Sequence, residues 1–241
     1  MTAIASAENG STIRLPASSE IKITDDFKNK KLTIKGEGAS TVITGTAYDL
    51  NGISFENLTL DTSKFSVEEG HKGFKRPGDI TYTNCTIKGD GAYALYGDNE
   101  IFKGCTLTMD TYEYILWTYG AKNVVFEDCT FITKGKAVKI YHDACENDTH
   151  NVTFTNCEFK IAEDYANTGD KPAIAVDARG STFNIIINNC TVTGYKFSDS
   201  AMVSWYSTHM TGATDTQKMF IGCEGTGIGT VHVTIDGTKF N

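Results

Sequence analysis

From Asn123 to Gly135 apolar and polar residues alternate, lose step at one residue, and then alternate again. Val124 and Phe126 carry the first phase, Cys129 and Phe131 the second, and the step is lost at Asp128. Strict alternation puts every second side chain of an extended strand on a buried face. A phase break at a residue type that tolerates left-handed backbone predicts two short strands joined by a sharp bend.

The same phrase recurs at Ile53–Leu60, Ile80–Ile87, Glu100–Leu107, Val152–Phe159, Ile185–Val192 and Lys218–Gly225. The bend position holds Asn57, Asn84, Gly104, Asp128, Asn156, Asn189 and Gly222, all types found in the left-handed region. The next residue is Leu58 and then Cys85, Cys105, Cys129, Cys157, Cys190 and Cys223. Three residues before it stands Phe55, Tyr82, Phe102, Phe126, Phe154, Ile187 or Phe220. Successive bends lie 27, 20, 24, 28, 33 and 33 residues apart. A period of this size predicts a solenoid or a propeller. A fixed phrase with freely varying spacing favours a coil in which each turn stacks on the last, like over like, with loops bulging at the corners.

The Phe-x-Asn-Cys-Thr phrase resembles the coils of right-handed parallel β-helix proteins, the pectate-lyase-like superfamily, from about Ser11 to Phe240. The resemblance implies an all-β fold, a single-stranded right-handed parallel β-helix of about ten coils forming one domain over 1–241. Residues 1–10 are expected to cap the first rung. Residues 226–241 are expected to close the last one, as a strand followed by a hairpin turn at Asp236-Gly237. The superfamily hosts lyases, hydrolases, esterases and adhesins, so the resemblance speaks for the fold and not for an activity.

A further strand is expected in each coil, at Ala92–Tyr96, Tyr114–Thr118, Ala137–Tyr141, Ala173–Asp177 and Ala201–Trp205. Its second and fourth residues, Ile115 and Trp117 among them, are read as inward. Its fifth residues, Tyr96, Thr118, Tyr141, Asp177 and Trp205, are read as an outward ladder, with Tyr119 and Tyr206 one residue on. The longest connections flank this strand on both sides, so its outer face is expected to be the floor of a groove. Exposed aromatics at strand spacing suit stacking on sugar rings. The expected ligand residues are therefore Tyr96, Tyr119, Tyr141, Asp177, Trp205 and Tyr206.

Lys139, Asp177 and Arg179 form a second candidate cluster. Some polysaccharide lyases of the superfamily use Lys, Arg and Ca²⁺ on this kind of face, and the likeness here is one of residue types. On that reading Lys139 is the base, Arg179 assists, and Asp98, Asp143 and Asp177 hold a Ca²⁺ ion that neutralises a uronic acid. Otherwise no cofactor is expected. Polygalacturonases of this fold carry Asn-Thr-Asp, Asp-Asp and Arg-Ile-Lys segments. The first and last are absent, and the one Asp-Asp pair, Asp25-Asp26, lies in the first coils.

Charge and composition narrow the partners. A formal net charge of −8 argues against nucleic acid. No apolar run is long enough for a membrane-spanning helix, so no membrane insertion is expected. Seven cysteines, six of them at one repeat position, read as buried free thiols. Met1-Thr2-Ala3-Ile4 has no leader character, which leaves either a cytosolic protein or one whose leader lies outside this sequence; the expected location is secreted or cell-surface. The resulting expectation is a non-catalytic module of a bacterial protein, adhesin-like, binding a polysaccharide, a surface glycan or a host protein. A Ca²⁺-dependent polysaccharide lyase and a structural stalk are the alternatives.

Overall fold

The computed structural model describes residues 2–45, 50–65, 67–68, 71–72, 78–141, 148–166, 172–177, 180–195, 220–223 and 229–241. Among them the chain winds through nine rungs, and corresponding strands stack into three sheets. The first sheet contains Thr12–Arg14, Thr33–Lys35, Ser54–Glu56, Thr81–Thr83, Asn99–Lys103, Asn123–Glu127, Thr149–Thr155, Thr182–Asn188 and Thr230–Asp236. The second contains Glu20–Ile23, Val42–Gly45, Thr59–Phe65, Thr86–Lys88, Thr106–Thr108, Thr130–Thr133, Glu158–Ile161, Thr191–Thr193 and Lys239–Phe240. The third contains Val67–Glu68, His71–Lys72, Tyr93–Ala94, Leu116–Trp117, Val138–Tyr141, Ile174–Asp177 and Ile221–Cys223. Pairing is parallel throughout except between Val67–Glu68 and His71–Lys72, which form a hairpin at the edge of the third sheet.

A sharp bend joins the first sheet to the second. Asn57, Asn84, Gly104, Asp128, Asn156 and Asn189 occupy it with φ between 50° and 60°. Their side chains also stack, with Asn156 Nδ2 donating to Asp128 Oδ1 at 3.1 Å. The seventh expected bend is displaced. Gly222 is a strand residue of the third sheet, paired with Ala175, and the left-handed residue of the last rung is Gly237, φ 60°. A Cβ at Gly237 would lie 2.2 Å from Asn189 Oδ1, so a larger residue there would have to displace that side chain. Thr230–Asp236 is accordingly a parallel rung on Thr182–Asn188, and Asp236-Gly237 is no hairpin turn. At the other end a four-residue helix, Thr2–Ala5, buries Ile4 against the first rung. Lys30 Nζ donates to the carbonyls of Ala5 and Ala7 at 3.2 and 3.0 Å, holding that cap in place.

Stacking rungs in register turns the repeat into columns. Phe55, Tyr82, Phe102, Phe126 and Phe154 form a column of rings, with centroids 5.8, 4.4, 4.8 and 4.8 Å apart and planes within 20° of parallel. These separations are close to the spacing of neighbouring strands, about 4.8 Å. After the bend Cys85, Cys105, Cys129, Cys157 and Cys190 form a column of buried free thiols. Each donates to a carbonyl one rung below, Cys129 Sγ to Phe102 O at 3.5 Å for example. Hydrogen bonds along the thiol column together with burial push Cys105 and Cys129 up to about 12. Cys223, read from the sequence as a member of this column, belongs instead to the third sheet.

One column is interrupted by a charge-bearing residue. Register places Glu100 between Ile80 and Val124 in a stack that continues through Val152 and Ile185. Glu100 is fully buried. Gly97 N–H donates to its Oε1 at 3.3 Å, and its Oε2 has no partner among the described residues. Burial, and secondarily the carboxylate of Asp79, push it well above its ordinary 4.5.

Two measurements test this packing. Truncating the central ring, Phe126→Ala, should cost about 3–5 kcal/mol in urea unfolding; a loss under 1 kcal/mol would mean that the column does not carry the core. Glu100 keeps its proton in the folded chain at pH values where the unfolded chain has released it. Its contribution to stability is therefore intact below pH 4.5 and falls as pH rises, by about 1.4 kcal/mol per unit up to the folded-state value. Glu100→Gln should flatten that decline, and parallel pH profiles for the two proteins would contradict it.

Candidate functional site

The bend between the first two sheets leaves no room for inserted residues from the third rung onward. The connections into and out of the third sheet do. Between the second and third sheets the successive connections from Lys88 onward span 4, 7, 4, 12 and 27 residues; between the third sheet and the next rung they span 4, 5, 7, 4 and 6. Length variation is thus concentrated on one side of the third sheet, where the sequence had suggested walls on both.

Alternation along Val138–Tyr141 buries Val138 and Ile140 inward and leaves Lys139 half-exposed on the outer face. Register then assigns the neighbours. Leu116 lies beside Val138 and Trp117 beside Lys139, so Trp117 points outward and Thr118 inward, the reverse of the sequence reading. Thr118 is buried, and Tyr141 N–H donates to its Oγ1 at 3.2 Å. Tyr119 therefore takes the outward place in its rung, between Tyr96 and Tyr141.

These residues make a continuous band. Tyr96 and Tyr119 meet edge to face with centroids 5.0 Å apart, Tyr119 and Tyr141 lie 5.4 Å apart, and Trp117 contacts Tyr141 at 5.8 Å. The Lys139 ammonium sits 4.6 Å from the centre of the Trp117 ring and 5.6 Å from that of Tyr141. Tyr96, Trp117 and Tyr119 are half-buried, but Tyr141 is only 7% exposed and Asp177 2%. Those last two are covered and are not part of an open floor.

The expected ion site does not assemble from its described members. Tyr96 stands three rungs from Asp177 along the sheet, so Asp98 and Asp177 belong to levels about 14 Å apart at 4.8 Å per rung. Ligands of one Ca²⁺ lie about 2.3–2.6 Å from it. Asp98 is exposed and pairs with Lys122 at 3.5 Å. Among the described residues no group of three His, Cys, Asp or Glu side chains is placed to hold a metal. Asp143, Arg179, Trp205 and Tyr206 lie outside the described residues. The place given to Ala201–Trp205 as the next strand of this sheet is filled by Ile221–Cys223.

A profile of the right-handed β-helix region matches residues 30–192, more than half of the chain and the same rungs that the bends and columns define. The chain belongs to the right-handed β-helix family. No curated protein and no solved structure matches it. Family membership accounts for the coil and its columns and leaves the outer face to be read from its own residues. No described helix is long and apolar enough to cross a membrane.

A second aromatic cluster, unmarked in the sequence reading, flanks the band. The Lys136 ammonium lies 4.3 Å from the centre of the Tyr112 ring and 5.3 Å from that of Tyr114, and Tyr112 stacks on Tyr165 at 5.8 Å. The available signal was positional. Tyr112 and Tyr114 precede Trp117, and Lys136 precedes Lys139, at the mouths of successive connections on the variable side.

Proposed function

We propose that the chain is a non-catalytic β-helix module of a secreted or cell-surface bacterial protein, and that it binds carbohydrate on the outer face of its third sheet. The observation that carries this reading is the contiguous band of Tyr96, Trp117 and Tyr119, half-exposed and in ring contact with the buried Tyr141 on the next rung. Ring faces and edges of this kind match the apolar C–H faces of pyranoses, and tyrosine hydroxyls exchange hydrogen bonds with sugar hydroxyls. Lys139, held over Trp117 and Tyr141, adds a donor without the mobility of an untethered lysine. Arrangement on successive rungs favours a chain of sugars over a single one.

Glycan-array binding tests the reading. Trp117→Ala and Tyr119→Ala should each weaken the best-bound glycan by at least about tenfold, as loss of an aromatic anchor does. Thr153→Ala, on the outer face of the first sheet, should leave affinity unchanged. Absence of glycan binding, or equal losses from all three variants, would sink the proposal. Accumulation of unsaturated uronic acid products with Ca²⁺ would replace it with a lyase.

A further inference from the structure

The connection that joins Ile161 of the second sheet to Ile174 of the third is twelve residues long. Both of its ends are tied to one side-chain cluster. Near its start, Ala162–Tyr165 makes a turn closed by a hydrogen bond from Tyr165 N–H to Ala162 O at 3.0 Å, and the Tyr165 ring stacks on Tyr112, 5.8 Å apart and 24° from parallel. At its end, Pro172 O accepts a hydrogen bond from the buried Tyr114 hydroxyl at 3.2 Å. Tyr112 and Tyr114 belong to the connection two rungs below, so neither tie is local in sequence.

Lys136, from the rung between, joins the two ties. Its ammonium lies over both rings, 4.3 Å from the centre of Tyr112 and 5.3 Å from that of Tyr114, and 4.0 Å from Glu113 Oε1. Its side chain is only 12% exposed. A lysine so covered is unusual, because the ammonium loses hydration on entering such a site. The two ring faces and the carboxylate offset that loss, and the cation in turn fixes the positions of both tyrosines.

We propose that Lys136 is a positioning residue: it clasps residues 162–166 and Pro172, the described ends of the connection between Ile161 and Ile174, and these ends form a wall beside the aromatic band on its variable side. Three consecutive rungs contribute to the clasp, through Tyr112 with Tyr114, Lys136, and Tyr165 with Pro172. Lys136 itself lies three residues before Lys139 of the band. Losing the cation while keeping the methylene stem releases Tyr112, then its stack on Tyr165, and then the wall. The effect on ligand affinity rests on the carbohydrate reading above; the ordering of the wall does not.

Hydrogen exchange of the folded protein separates the two. In Lys136→Met, the amides of residues 162–166 should exchange at least about tenfold faster, with the first-sheet strands unchanged, and Lys136→Arg should restore most of the protection because guanidinium also sits well on ring faces. If a glycan is bound, its affinity should fall in Lys136→Met and return in Lys136→Arg. Unchanged exchange at 162–166 in folded Lys136→Met would overturn the proposal whatever happens to binding. Faster exchange with no glycan bound by any variant would uphold the clasp and remove the carbohydrate reading. Should Lys136→Met not fold, Tyr165→Ala, which removes the outer ring of the stack alone, must produce the same local loss of protection, and its failure to do so would equally overturn the clasp.

Discussion

From the third rung onward the coil depends on one constraint: a residue in left-handed conformation must follow the first-sheet strand, and it must sit over the corresponding residue of the rung below. The bend turns the chain within one residue, so the phase of alternation before it dictates the phase after it. Once Asp128 lies over Gly104 and under Asn156, Phe126 has to lie over Phe102, and Cys129 over Cys105. Columns follow from the bend; they do not need separate specification. The stacked rings and the thiols that donate to carbonyls one rung below are the packing consequences, and they reward correct register by letting like fit on like.

The same constraint separates the parts of the fold that were legible in the sequence from those that were not. Six bends stand where the left-handed residue types predicted them, because Asn, Asp and Gly tolerate that conformation locally. The seventh failed through mimicry. Phe220-Ile221-Gly222-Cys223 repeats the form of Phe102-Lys103-Gly104-Cys105, yet seven residues of pairing between Thr182–Asn188 and Thr230–Asp236 outweigh one local phrase. The outer face of the third sheet was read in phase at Tyr96 and Tyr141 and out of phase at Trp117 and Thr118. Tyr114-Ile115-Leu116-Trp117 is apolar throughout, so alternation carried no information there, and the register that turned Trp117 outward came from its neighbour Val138–Tyr141. Burial of Tyr141 and Asp177 was not legible at all, since what covers a strand's outer face belongs to distant connections. The separation of Asp98 from Asp177 followed from counting rungs, which needs the register first.

Glu100 shows what the columns tolerate. It occupies a site that Ile80 and Val124 fill on either side, and it survives there with one carboxyl oxygen bonded and the molecule's electrostatics set against ionisation. Isoleucine at that place would satisfy the column better. The Tyr82 and Tyr93 hydroxyls, 2.8 Å apart and fully buried, add a second polar group to the interior one rung below. The buried carboxyl lowers stability at neutral pH and makes its level more sensitive to pH than its neighbours.

Placement of the outer band follows from what the bend forbids. Neither side of a one-residue corner can accept an insertion without losing the column, so the first two sheets stay uniform, and their outer faces carry short polar columns and ion pairs such as Lys35–Glu56 and Lys103–Glu127. The passage into the third sheet lengthens most, and its two longest connections belong to the last two rungs that reach that sheet. A longer connection costs little in closure entropy but needs side chains to hold it to the coil. For the connection after Ile161 those side chains are aromatic and cationic, Tyr112, Tyr114 and Tyr165 with Lys136. The repeat therefore builds a rigid scaffold in which one face alone is free to vary, and the residues that depart from the repeat collect on that face because it is where departure is cheapest.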